Sequence, residues 1–170
     1  MPRRLSPQLR YDAAARTVTG VLLPFGVVTP AKDAVTGRMV QERVLPGAMR
    51  LPDEAPTLTL MHIDQHVAAL AVELHETPDA LELTALLDGP DADLAIRMLS
   101  RGTLSGLSAE FVDLERVDVA GVSEVRLADL TGTSLVDRGA YRAARPQLRE
   151  LRGLRAGAGN RRLLEVLRWL

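Results

Sequence analysis

Two residues in the middle of the chain, His62 and Ser108, have side chains that together can perform hydrolysis. A serine hydroxyl is a poor nucleophile until a neighbouring imidazole removes its proton, so a Ser/His pair predicts acyl-transfer chemistry. Catalytic residues of this kind are gathered by the fold and occur in several chain orders, so their distance in sequence is no obstacle. Taken alone, the pair is better interpreted as an ordinary strand-end histidine and a surface serine.

Other chemistry is poorly supported. The histidines of His62-Ile63-Asp64-Gln65-His66 would share one face of a helix, but on a strand they lie too far apart to hold one metal ion. The chain has no glycine-rich phosphate loop that opens a helix. We therefore expect neither a metal nor a cofactor, and His66 and His75 are expected to be exposed.

Composition limits the classes of protein. A chain of 170 residues and 18.4 kDa fits one domain with a real core, and the absence of cysteine excludes a disulfide framework or a thiol nucleophile. No stretch is apolar enough for a membrane span, and residues 1–10 are too charged for a signal peptide. We expect a soluble protein made in a cytoplasm, with no membrane contact.

Charge is divided unevenly along the chain. Residues 138–170 contain nine Arg and two Glu, a net charge of +7, which leaves −8 for residues 1–137. Such a basic tail can make weak contacts with nucleic acid or an acidic protein surface, although a solvated helical tail explains the composition equally well.

The hydrophobic pattern predicts mainly strands. Strands are expected at 17–23, 38–45, 57–62, 123–130 and 133–136, with a hairpin formed by 72–74 and 81–83 around the turn residues 76–79. In the 57–62 strand, alternation places His62 on the same face as Leu58 and Leu60.

One helix is well marked. It is expected at 90–102, with acidic residues in its first turn and Gly102 at its end. The following segment, Leu104–Val112, alternates so that Ser108 and Glu110 lie opposite the face of Leu107. Further helices are expected at 147–154 and 161–170. Together these elements predict a mainly β protein with helices (α+β), an antiparallel β-barrel flanked by helices. We place the barrel domain at 1–145 and a basic helical C-terminal tail at 146–170.

Five motifs in order resemble the prohead (capsid maturation) protease family of tailed phages and gene transfer agents, which is similar in fold to herpesvirus assemblin. The motifs are the Gly-x-x-x-x-aromatic-Gly of Gly20–Gly26, the acidic-to-Pro-Gly-Ala segment Glu42–Met49, the strand Leu58–His62 with its closing histidine, the Gly-x-Leu-x-Gly-Leu-Ser-x-Glu-Phe of Gly102–Phe111, and the closing strand Leu130–Tyr141. The resemblance spans about residues 20–144.

This resemblance implies a serine endopeptidase of the assemblin type that cleaves scaffold or capsid-protein delta-domain segments during virion assembly. Ser108 would be the nucleophile and His62 the general base. The partners implied are the major capsid protein, its scaffold or delta domain, and a second copy of the chain in a homodimer. The place implied is the bacterial host cytoplasm, inside the procapsid.

The chain departs from the family where many members carry a Glu in the closing strand and this chain has Gly132. The third member of the triad is therefore unassigned, and Glu110 and Asp64 are expected to be solvated carboxylates. Ser105 is a rival nucleophile that fits the motif less well, and Ser134 is expected to be a small residue in a packed strand. The alternatives are a catalytically silent relative acting as a capsid scaffold or interaction module, and an unrelated β-barrel binding domain.

Overall fold

The computed structural model describes residues 9–32 and 37–137, which all belong to one compact unit. Strands account for 59% of these residues and helix for 7%, so the described fold is mostly β with a single helix. The strands are β1 (Arg10–Asp12), β2 (Thr17–Pro24), β3 (Thr29–Lys32), β4 (Met39–Val44), β5 (Met49–Arg50), β6 (Leu58–Leu60), β7 (Ile63–Ala69), β8 (Val72–Glu76), β9 (Ala80–Leu86), β10 (Gly106–Val119) and β11 (Val122–Val136); the helix α1 is Ala92–Ser100.

A four-stranded antiparallel sheet has the order β1-β2-β9-β8. In β9 the side chains alternate from Leu81 onward: Leu81 and Leu83 are buried while Glu82 and Thr84 are exposed. This alternation is typical of a sheet with one face in the core and one face in water. The predicted β8–β9 hairpin is confirmed, with Leu74 opposite Leu83.

A seven-stranded mixed sheet is organised by β11, which is 15 residues long. On one side β11 pairs antiparallel with β10 along almost its whole length. On the other side it pairs in turn with β4, β5 and β6, all in parallel, and β3 and β7 extend the sheet beyond β4 and β6. The two strands predicted at 123–130 and 133–136 are therefore one continuous strand, and it holds the whole sheet together.

The helix α1 ends as the sequence predicts. Gly102 has φ of +71°, and the N–H groups of Gly102 and Thr103 donate to the carbonyls of Leu99 and Met98. This Schellman geometry requires a left-handed residue, which glycine adopts without steric cost. The chain leaves the helix in a fixed direction and enters β10 four residues later, which sets the position of Ser108.

The predicted closed antiparallel barrel is wrong. Within residues 9–32 and 37–137, no strand of the four-stranded sheet pairs with a strand of the seven-stranded sheet, so the hydrogen bonding does not close. Three of the pairs made by β11 are parallel, which alternation within single strands does not predict. The prediction of several flanking helices is also wrong, since α1 is the one helix of this part of the chain. The helices expected at 147–154 and 161–170, and the domain boundary at 145, lie outside the described residues, and the helical C-terminal tail is not supported.

Candidate functional site

Ser108 lies near the start of β10, directly opposite Ser134 of β11. Two residues further along β10, Glu110 lies directly opposite Gly132. Because side chains alternate along a strand, Ser108 and Glu110 project from the same face. Immediately after Glu110 the register shifts by one residue, a bulge that bends the strand beside the site.

His62 is placed by a two-residue hairpin turn rather than by a strand. Leu60 of β6 pairs with Ile63 of β7, and the two residues between them, Met61 and His62, have φ of +53° and +59°. Positive φ at both loop positions is typical of a type I′ turn, where Asn-Gly is strongly preferred. The predicted alignment of His62 with Leu58 and Leu60 on one strand face is therefore wrong, because the strand ends at Leu60.

The imidazole of His62 contacts the carboxylate of Glu110. His62 Nδ1 lies 2.5 Å from Glu110 Oε1, and the side chains are 10% and 32% exposed. Glu110 was expected to be a solvated carboxylate, and this expectation is wrong. A carboxylate that accepts the proton of Nδ1 would fix the tautomer of the imidazole and leave Nε2 for a second partner.

The backbone of His62 is fixed from the same sheet. Its N–H donates to Ser134 Oγ at 3.2 Å, and the N–H of Met61 donates to the carbonyl of Leu135 at 2.9 Å. His62 is thus held by two residues. One is Ser134, the cross-strand neighbour of Ser108, and the other is Glu110, which follows Ser108 on the same face of β10. These two contacts place the histidine over the face of the sheet that carries Ser108.

Ser108 is half-buried, and its hydroxyl makes no hydrogen bond to any residue of the described chain. The Ser108–His62 hydrogen bond is therefore not formed in this structure. Catalytic hydrogen bonds are often long before substrate binds and tighten only in the complex.

The rival serines are placed differently. Ser105 lies before β10 begins, and its hydroxyl oxygen is buried from solvent. A substrate carbonyl has no access to a buried oxygen in this conformation. Ser134 is 1% exposed, as expected for a packed position.

The remaining histidines and the acidic residue beside His62 are only partly as expected. His75 and Asp64 are exposed, in agreement with the sequence. His66 is half-buried, and its Nδ1 lies 3.4 Å from Asp91 Oδ2, which also accepts the N–H of Val67. Within residues 9–32 and 37–137, no group of three or more potential ligands could hold a metal ion.

A second charged cluster lies at the other end of the β10–β11 ribbon. Glu124 of β11 is buried and accepts a hydrogen bond from Arg43, its direct partner on β4. That hydrogen bond, helped by Arg126, holds the pKa of Glu124 below its ordinary value, although burial acts in the opposite direction. Burial also acts to lower the pKa of Arg116, yet its hydrogen bonds to Glu42 and Asp113 leave that pKa raised. This cluster joins three strands, so we interpret it as structural.

Sequence reasoning missed the contact between Glu110 and His62 and the two-residue turn formed by Met61 and His62. A signal for Glu110 was present, because alternation placed it on the face of Ser108. No local pattern indicates that Met61 and His62 form a type I′ turn, since neither residue is typical of one.

Comparison of the chain with protein-family models, with curated proteins and with solved structures found no match. In the part of the chain that the structure describes, no helix has the length and apolar character needed to span a membrane.

Proposed function

We propose that this chain is a serine endopeptidase in which Ser108 is the nucleophile, His62 the general base and Glu110 the carboxylate that orients His62. The observation that carries the proposal is the 2.5 Å contact between His62 Nδ1 and Glu110 Oε1, made over the strand face that carries Ser108. A carboxylate, an imidazole and a serine are the three groups of a hydrolytic triad, and such triads are recognised by geometry.

Each group has a defined task. His62 Nε2 takes the proton of Ser108 as its oxygen attacks the scissile carbonyl, and later returns that proton to the leaving amine. Glu110 stays ionised, holds the proton on Nδ1 and stabilises the imidazolium that forms during both steps. The 10% exposure of the His62 side chain limits water around it, which strengthens its electrostatic contact with Glu110.

The position of Ser108 on β10 suits a peptide substrate. Within the described residues β10 pairs with β11 alone, so its other edge presents backbone N–H and C=O groups. An extended peptide can add to such an edge as a further strand. That mode of binding brings a backbone carbonyl of the substrate alongside Ser108.

The biological substrate is proposed from the five motifs between residues 20 and 144. They support a role in viral prohead maturation, with cleavage of scaffold or capsid-protein delta-domain segments inside the procapsid of a bacterial host. The capsid protein and its scaffold are the proposed partners, together with a second copy of the chain.

The experiment that tests the proposal combines coexpression with chemical labelling. The chain is coexpressed with its proposed cognate capsid protein, and the products are measured by intact mass for wild type, Ser108→Ala, His62→Ala and Ser105→Ala. The purified proteins are then treated with a fluorophosphonate, and the labelled residue is identified by peptide mapping. We expect wild type and Ser105→Ala to cleave and to be labelled at Ser108, and the other two to do neither. Wild type that neither cleaves nor is labelled would favour the silent scaffold module instead.

A further inference from the structure

Three hydroxyl side chains form one rung across three neighbouring strands. Thr59 of β6 lies opposite Ser134 of β11, and Ser134 lies opposite Ser108 of β10. Ser134 and Thr59 are hydrogen-bonded to each other through their side-chain oxygens. Ser108, the proposed nucleophile, therefore lies at the end of this row, and the other two residues, Ser134 and Thr59, are hydrogen-bonded to each other.

The direction of these hydrogen bonds can be deduced. Each hydroxyl has one proton to donate. Thr59 Oγ1 lies 3.2 Å from the carbonyl oxygen of Thr133, which can only accept, so Thr59 donates there. Ser134 must then donate its proton to Thr59 Oγ1. Its lone pairs remain for the N–H of His62, which donates to Ser134 Oγ.

A continuous chain therefore runs from His62 N–H through Ser134 and Thr59 to the carbonyl of Thr133. Every proton in it has an acceptor, and Ser134 is 1% exposed, so the chain is shielded from competing water. Ser134 is a poor candidate nucleophile, because it is 1% exposed and donates its proton to Thr59, a hydroxyl that is not a general base.

His62 needs such an anchor. Its φ of +59° and the +53° of Met61 lie in the left-handed region, which costs non-glycine residues free energy. Strained backbone of this kind persists only where surrounding contacts hold it. The two N–H groups of the turn are held by consecutive residues of β11, at the carbonyl of Leu135 and the hydroxyl of Ser134.

From this arrangement we propose that Ser134, oriented by Thr59, is a positioning residue that fixes the backbone of His62 relative to Ser108. The inference rests on the proposed function for its effect on catalysis, but the anchor itself is independent of it. Ser134 suits the task because it faces Ser108 directly: the residue that sets the histidine is also the cross-strand neighbour of the nucleophile.

The test uses Ser134→Ala and a matched control, Thr133→Ala. Thr133 is the preceding residue of β11, is 2% exposed, and donates its hydroxyl to the carbonyl of Thr57 at 2.9 Å. Both variants remove one buried hydroxyl and the hydrogen bond that it donates, but only Ser134→Ala also removes the acceptor of the His62 N–H. Thr59→Ser, which keeps the hydroxyl, is compared with Thr59→Val, which does not.

The first measurement is hydrogen exchange of the His62 amide by NMR, which needs no substrate. We expect exchange at least tenfold faster in Ser134→Ala than in wild type, and unchanged in Thr133→Ala. Equal exchange rates at His62 in wild type and Ser134→Ala would overturn the anchor, whatever the activity of the protein.

The second measurement is the rate of fluorophosphonate labelling at Ser108 as a function of pH. We expect Ser134→Ala to lower the rate by about tenfold or more, because small misplacements of a catalytic group are costly. We also expect the pH profile of labelling to shift in Ser134→Ala. Thr59→Ser should keep the wild-type labelling rate, and Thr59→Val should label more slowly than wild type. A wild-type profile in Ser134→Ala would overturn the positioning role. If wild type itself is not labelled, the proposed function fails while the exchange result still decides the anchor.

Discussion

The side chain of Glu110 occupies the space above Gly132, the residue directly opposite it on the neighbouring strand. A Cβ atom placed on Gly132 would lie 3.1 Å from Glu110 Oε2 and 3.6 Å from its Cβ. The resemblance places a carboxylate at residue 132, and this chain lacks it there. The structure supplies a carboxylate from the facing strand instead, and the missing side chain at 132 is what leaves room for it.

Gly132→Ala is expected to disturb the site without unfolding the protein. The new methyl group would press on the Glu110 carboxylate and move it away from His62, so we expect labelling of Ser108 to slow by roughly tenfold. The control is Gly106→Ala in β10, where a Cβ would meet its nearest atom at an ordinary 3.5 Å. The two rates are measured beside the melting temperatures. Equal labelling rates in Gly132→Ala and Gly106→Ala would contradict the argument that the space above Gly132 positions the Glu110 carboxylate.

Glu110→Gln tests the carboxylate directly. An amide cannot stabilise the imidazolium of His62 and can hold the wrong tautomer, so we expect the rate of cleavage to fall by roughly a thousandfold. Glu115→Gln is the matched control, because Glu115 is an exposed glutamate of the same strand. Rates are measured with a peptide substrate under single-turnover conditions. Loss of less than about threefold in Glu110→Gln would assign the orienting role to another group.

Local patterns were sufficient for the parts of the fold that depend on neighbouring residues. The helix end at Gly102, the β8–β9 hairpin and the shared face of Ser108 and Glu110 all follow from side-chain periodicity and turn chemistry. The parallel pairing of β11 with β4, β5 and β6 depends on contacts distant in sequence, which alternation does not encode. The turn at Met61 and His62 was missed for another reason: its residues disagree with local preference, as is common where function competes with stability.

The depressed pKa of Glu124 predicts a loss of stability in acid. The hydrogen bond from Arg43 favours the charged form in the folded state, so the pKa is lower folded than unfolded. This contribution is present above the unfolded pKa, near 4.5, and is lost as pH falls through the folded pKa. We expect urea midpoints of wild type to fall between pH 6 and pH 3, with a smaller fall in Glu124→Gln. The urea midpoints of Glu115→Gln should follow those of wild type. If the midpoints of wild type and Glu124→Gln fall in parallel with pH, the loss of stability in acid does not come from Glu124.

Relief of the strain at Met61 is expected to stabilise the fold. Asparagine tolerates positive φ better than methionine, so Met61→Asn should gain up to about 1 kcal/mol, reduced by lost contacts of the half-buried methionine. Ala120→Asn is the companion variant, because Ala120 also has positive φ, at +51°, but is exposed and loses no packing. Thermal unfolding should show a rise in both, larger in Ala120→Asn. A fall in Ala120→Asn would contradict the strain argument.

The position of the carboxylate can be tested by moving it from one strand to the other. In the double variant Glu110→Ala with Gly132→Glu, the carboxylate is carried by β11 and enters the space that Glu110 has left. Because the two residues are direct cross-strand neighbours, we expect the labelling rate of Ser108 to recover by about tenfold over Glu110→Ala alone. The control is Glu110→Ala with Thr131→Glu, which adds the same charge at the adjacent, exposed residue, where alternation directs the side chain to the other face. Equal recovery in both double variants would mean that net charge near the site matters and its placement does not; recovery only with Gly132→Glu would mean that His62 requires a carboxylate at this point, whichever strand provides it.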